Sequence, residues 1–149
     1  MVRTIIAGEP GRLKRILFIS ILVIVIDRLT KAAIMHQGRL LSTGLLELSY
    51  SCNSGSAFGL FQGHASMLVW VSLIALGFIF WRIELILKRP ALVIPAGLII
   101  GGIVSNAVDR LLFGCVVDFI NLHFWPSFNI ADSALCVGAV MASIAVLKA

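Results

Sequence analysis

A membrane all-α fold of four transmembrane helices, with a small extramembrane β-sheet on the outer side, is predicted by three features of this 149-residue sequence. The chain is 60% hydrophobic and only 13% charged, far from the balance of a soluble domain of this size. Four apolar runs each approach the roughly 20 residues that a bilayer span needs. Between the first two, residues 46–53 alternate, with Leu46, Leu48, Tyr50 and Cys52 on one side and Glu47, Ser49, Ser51 and Asn53 on the other. That is the period of a strand.

A basic leader carrying Arg3, Arg12, Lys14 and Arg15 opens the chain, and an apolar run follows from Ile16. A cleavable signal peptide begins in the same way, but this run continues to about Met35 with no small-residue cleavage site, so it reads as the first span, 16–35. Asp27 and Lys31 lie four residues apart on one face of it. After the strand, Asn53-Ser54-Gly55-Ser56-Ala57-Phe58-Gly59 supplies two glycines for a tight turn. The second span is 65–87, closing on Arg82, Glu84, Lys88 and Arg89; Pro90 starts the third, 91–108; the fourth is 130–147. The whole chain, 1–149, reads as one integral membrane domain. Gly97, Gly101 and Ser105 in the third span, and Ala134, Gly138 and Ala142 in the fourth, repeat at four-residue spacing and predict close helix packing.

Charge gives the orientation. Four basic residues precede the first span and three, Arg82, Lys88 and Arg89, gather where the second span ends before the third, which predicts both termini in the cytoplasm and the 40–61 and 109–129 connections together outside. The net charge of +5 is therefore an orienting signal, and no basic patch with interleaved aromatics points to nucleic acid. Cys52, Cys115 and Cys136 are an odd count without ligand spacing, so they read as small packing residues, with no disulfide framework or zinc site. His36, His64 and His123 stand singly and match no metal arrangement. Trp70, Trp81 and Trp125 read as interfacial anchors.

The chemistry gathers between Gly101 and Ser133, where Asp118 and Asp132 sit among apolar neighbours that make an unpaired carboxylate expensive. Held close, two carboxylates share a proton, so one can deprotonate a water while the other protonates a carbonyl or amine, with no metal or cofactor. A plainer reading stands beside that one. Asn129 followed three residues later by Asp132 makes a helix cap, and Asp118 is an interfacial acid paired with Arg110. Asn106, Asp109 and Arg110, with Gly102 a turn below, form one side of a pocket facing the acids, or else a solvated helix end. Asp27 and Lys31 equally read as a structural pair that neutralises itself in lipid.

Five motifs in register carry a resemblance: Asp27-Arg28-Leu29-Thr30-Lys31, the Asn53–Gly59 turn, Gly101-Gly102 through Asn106 to Asp109-Arg110, Val116-Val117-Asp118-Phe119-Ile120, and Phe128-Asn129-Ile130-Ala131-Asp132-Ser133. Together they resemble bacterial lipoprotein signal peptidase, signal peptidase II, from about residue 16 onward. The resemblance implies an intramembrane aspartic endopeptidase of the bacterial inner membrane. It would remove signal peptides from prolipoproteins whose cysteine carries a diacylglyceryl group, cutting on the N-terminal side of that cysteine. It implies Asp118 and Asp132 as the catalytic pair, and Asn53, Gly102, Asn106, Arg110, Asn129 and Ala131 as the pocket lining. Asp27 and Lys31 become a supporting pair, the outer strand region a cradle over the membrane surface, and globomycin-type cyclic peptides inhibitors. Two positions depart from the pattern: Arg28 where the family usually has Gln, and Ser105 where it usually has Gly.

Two rival classes fit less of the sequence. A proton-coupled transporter places acids near the midplane on several helices, whereas only Asp27 lies deep here. A structural scaffold does not require two acids flanked by Asn and Arg.

Overall fold

The computed structural model of the protein describes residues 10–55 and 63–148. Arg3 and the Ser56–Gly59 part of the turn motif lie outside them. Three long helices form the centre: α1 (Pro10–Gln37), α4 (Val93–Phe113) and α5 (Ile130–Leu147), with α4 packed between the other two. In α1 the buried residues are Ile16, Ser20, Val23, Asp27, Lys31 and Ile34, a stripe at helical spacing. Leu17, Phe18, Ile21, Leu22, Val25, Ile26 and Leu29 point outward and are exposed. Beyond its exposed first turns, which carry Lys14 and Arg15, the helix thus buries Asp27 and Lys31 and shows its apolar side chains, the reverse of a helix in water.

Small residues let the backbones close on one another. A Cβ on Gly101 would lie 2.8 Å from the Ser20 carbonyl oxygen of α1, and one on Gly102 would lie 2.5 Å from the Ala131 carbonyl oxygen of α5. The Ser20 hydroxyl also donates to the Gly97 carbonyl at 3.0 Å. Gly102, expected in the pocket lining, belongs instead to the α4–α5 contact, because no side chain could fit between these two backbones.

Helix limits differ from the sequence expectation in three places, the first being α1, which starts at Pro10, so that Arg12, Lys14 and Arg15 are already helical. The second apolar run is broken at Arg82 into α2 (Ala65–Trp81) and α3 (Ile83–Lys88), and a 3-10 turn at Pro90–Leu92 leads into α4. At its other end α4 runs past Val108 to Phe113, where Gly114 at φ 71° ends it in the left-handed conformation that glycine adopts without strain. Asp109 and Arg110 are therefore helical. Among the described residues, two helical stretches are long and apolar enough to cross a membrane, Pro90–Phe113 and Ile130–Leu147. The apolar run of α1 is interrupted by Asp27, Arg28 and Lys31, and α2 is apolar but only 17 residues long.

Three antiparallel strands, β1 (Arg39–Ser42), β2 (Glu47–Asn53) and β3 (Val116–Asn121), form a sheet in the order β1-β2-β3. The strand at 46–53 is present, but its alternation does not survive as a burial pattern, because the register shifts between Leu48 and Ser51. In β3, Val116, Val117, Asp118 and Phe119 are all buried, so this strand has no alternating signature in the sequence. The pairing also corrects the reading of the cysteines: Cys52 and Cys115 form a disulfide, leaving Cys136 as the free thiol. An odd count hid one pair, and only the β2–β3 register, with Cys52 opposite Val117 and Asn53 opposite Val116, brings the two together.

Candidate active site

Asn129 is where the site begins. It is the N-cap of α5, and its Oδ1 accepts from the Asp132 backbone N–H at 2.8 Å while Asp132 Oδ2 accepts from the Asn129 N–H at 3.2 Å, a complete capping box. The plainer reading of Asp132 is thus correct as geometry, and it fixes the acid's rotamer. Its other oxygen, Oδ1, accepts from Asn106 Nδ2 at 2.7 Å. The Asn129 Nδ2 is left to reach across to Asp118, donating to Oδ1 at 2.8 Å. One asparagine therefore holds both acids.

Asp118 sits in the buried strand β3, only 1% exposed, and its second oxygen accepts from Asn53 Nδ2 at 3.0 Å. No hydrogen bond or ion pair joins it to Arg110 among the described residues. Instead Arg110 reaches long contacts, both 3.5 Å, to the carbonyls of Asn106 and Gly55, and its Nε has no partner among the described residues. Burial pushes the Asp118 carboxyl up to about 6; Asn53 and Asn129 donate against that rise, Asp132 adds to it and Lys31 opposes it.

Behind the two acids lies a buried charge cluster. Lys31 Nζ is 2.6 Å from Asp27 Oδ2 and 2.6 Å from Asp109 Oδ2, and it donates to Asn106 Oδ1 at 3.1 Å. Asp27 also accepts from the Ser105 hydroxyl at 2.6 Å and from the Ala131 N–H at 3.0 Å. Asp109 accepts from Val117 N–H at 3.2 Å and pairs with Arg28. Sequence reading gave Lys31 one partner and placed Asp109 at a pocket wall or a solvated end. The structure gives Lys31 three partners and buries Asp109 completely. The two departures from the family pattern, Arg28 and Ser105, each add a donor to this cluster.

A cavity of about 550 Å³ opens over the acids. Asn53, Asn106, Arg110, Asp118 and Asp132 supply its polar side, and Trp125, Phe128, Leu135, Cys136 and Val137 its apolar side. Of the residues expected to line a pocket, Asn53, Asn106 and Arg110 do so, whereas Asn129, Ala131 and Gly102 act behind the wall. The apolar lining was not legible: Trp125 read as an anchor, and Cys136 gave no signal because it faces Asp132 only through the helical spacing of four.

Residues 19–148 match the sequence model of a family described as Signal peptidase (SPase) II. The chain is similar to the lipoprotein signal peptidase of Syntrophomonas wolfei, 39% identical over 136 residues that cover 85% of this chain and 89% of that protein. It is also similar to the lipoprotein signal peptidase of Pseudomonas putida, 36% identical over 157 aligned positions that cover 95% and 91%. A structure described as a bacterial membrane enzyme, solved by the in meso method at 2.3 Å, superposes with a TM-score of 0.82 at 28% identity, covering 89% of this chain and 87% of that one.

Proposed function

The chain belongs to the signal peptidase II family, a membrane protease that removes signal peptides from prolipoproteins, and on that premise we propose that Asp118 and Asp132 are its catalytic dyad. The observation that supports this most directly is that both carboxylates face one cavity while a single residue, Asn129, hydrogen-bonds both. With one proton between them, the ionised acid takes a proton from a water as its oxygen attacks the scissile carbonyl carbon. The protonated acid gives its proton to the carbonyl oxygen. The first acid then gives the proton it took from water to the departing amine while the second takes one from a diol hydroxyl, so the C–N bond breaks, the carbonyl re-forms and the dyad returns to one shared proton. Arg110, with its poorly satisfied guanidinium in the cavity wall, donates to a backbone carbonyl of the bound peptide.

The substrate reading goes further than the family name. Trp125, Phe128, Leu135 and Val137 give the cavity an apolar flank, suited to the acyl chains of a diacylglyceryl cysteine and the hydrophobic part of a signal peptide. The same flank suits a globomycin-type cyclic peptide as an inhibitor. We place four spans in the inner membrane: α1, α2 extended by α3, α4 and α5. The 17 residues of α2 cover about 26 Å, short of a roughly 30 Å hydrocarbon core, which α3 completes. Both termini then face the cytoplasm and the sheet faces outward. The Cys52–Cys115 disulfide supports that side, since such bonds persist in oxidising compartments.

The test is cleavage by purified protein of one precursor with and without the diacylglyceryl group, read as a shortened product. The modified precursor is cut much faster, because the lipid supplies binding energy and sets the depth of the scissile bond. Equal rates reject lipid positioning, and no product from either rejects the protease reading.

A further inference from the structure

The end of β2 carries a device that the mechanism above does not use. The strand stops at Asn53, the residue whose amide holds Asp118, and the register shift between Leu48 and Ser51 isolates its last three pairs, Ser51–Asp118, Cys52–Val117 and Asn53–Val116. A short strand end of this kind opens locally at low cost. The disulfide clamps that end, because it joins the residue before Asn53 to the residue before Val116. Once β2 is held, the Asn53 amide has one orientation. Its Oδ1 accepts from the Gly55 N–H at 3.0 Å, which turns Nδ2 onto Asp118 Oδ2, also at 3.0 Å.

We propose that the Cys52–Cys115 disulfide is a redox-sensitive positioning element of the proteolytic site, which keeps Asn53 hydrogen-bonded to Asp118 and whose reduction slows cleavage through that one contact. The inference rests on the reading of Asp118 as half of the dyad. It predicts partial rather than complete loss, because Asn129 holds the other oxygen of Asp118 from α5, whose cap does not depend on the disulfide. Access favours reduction from one side: Cys52 is exposed, whereas Cys115 is buried. A dithiol thiolate attacks the Cys52 sulfur and expels Cys115 as a thiolate. The second thiol of the reagent then displaces Cys52, giving two cysteine thiols and a cyclic disulfide, with two electrons and two protons passing from reagent to protein.

The experiment compares cleavage of a lipid-modified precursor by the purified protein before and after dithiothreitol treatment, with thiols counted by alkylation and mass spectrometry. The same comparison is made in an Asn53→Ala background and in the Cys52→Ser/Cys115→Ser double variant. The expected result is one free thiol before treatment and three after it. The turnover rate falls about 10-fold, the scale of one lost hydrogen bond to a charged group, with KM within about twofold. In the Asn53→Ala background the same reduction changes turnover less than about twofold, because the contact it acts through is already gone. The double cysteine variant is slow and indifferent to dithiothreitol; if it fails to insert, the treated wild-type protein answers the question alone. Three free thiols before treatment, unchanged turnover after full reduction, or an equal fall in the Asn53→Ala background overturns the proposal. Full activity in Asp118→Asn overturns instead the dyad reading on which it stands.

Discussion

Lys31 and Asp132, on different helices, are joined through a single side chain: the Asn106 amide accepts from Lys31 Nζ at 3.1 Å and donates to Asp132 Oδ1 at 2.7 Å. The lysine fixes which way the amide points, since a cation can only donate to its oxygen. Lys31→Met therefore does two kinds of damage. It leaves Asp27 and Asp109 buried without their shared cation, a loss of about 3–5 kcal/mol in stability, and it frees Asn106 to turn its oxygen toward Asp132. We expect a lowered melting temperature and at least a 10-fold fall in turnover among the molecules that remain folded. Wild-type turnover at matched folded protein would mean the amide needs no such anchor.

Asp118 and Asp132 act as one unit if they share a proton and a water. Asp118→Asn, Asp132→Asn and the double variant should each lose cleavage by a similar factor of about 10³ or more, because effects of groups that act together do not multiply. Rates at equal membrane abundance decide it. Multiplicative losses, or good activity in either single variant, would return both acids to capping and support.

The dependence on pH follows from the Asp118 carboxyl, raised to about 6. The groups acting on it are Asp132 from α5, Lys31 from α1 and the Asn53 and Asn129 amides. A dyad that must hold one proton loses it as pH rises through that value, so turnover falls on the alkaline side from about pH 6, roughly tenfold per unit. Asn53→Ala removes a donor that favours the ionised form. The carboxyl then holds its proton to higher pH, and the alkaline limb of the profile moves up. A limb that stays fixed in this variant would assign the titration to another group.

Gly102→Ala tests the helix contact behind the dyad. The added Cβ would meet the Ala131 carbonyl oxygen at 2.5 Å, which forces α5 away and carries Asp132 with it. Overpacking of this kind costs about 1–3 kcal/mol, and we expect cleavage to fall by about 10². Gly77→Ala, with nothing within 4 Å of its added Cβ, is the matched control and should leave both unchanged.

Much of this site was legible because membrane chemistry leaves few polar residues to choose from: Asp118, Asp132, Asn106 and Asn129 stand out against apolar neighbours. What the sequence concealed are relations between segments. Asp109 reads as a helix-end acid, and only the fold carries it under Lys31 and Arg28. Strand β3 is buried along both faces at its start, so no alternation marks it. Cys52 and Cys115 are 63 positions apart and meet only through strand pairing. Gly102 lies between two backbones, and a glycine there and a glycine beside a pocket look alike in sequence.

The cap at Asn129 has a consequence for how the protein is made. Synthesis runs from the N-terminus, so α1, the sheet strands and α4 emerge before the residue that both opens α5 and grips the two acids. Until that turn forms, Asp118 has no second donor and Asp132 no place. If the two acids are the dyad, a nascent chain is inert toward its neighbours in the membrane while it is still incomplete, and it becomes competent when one residue starts the helix through its two bonds with Asp132 and reaches Asp118 with a third.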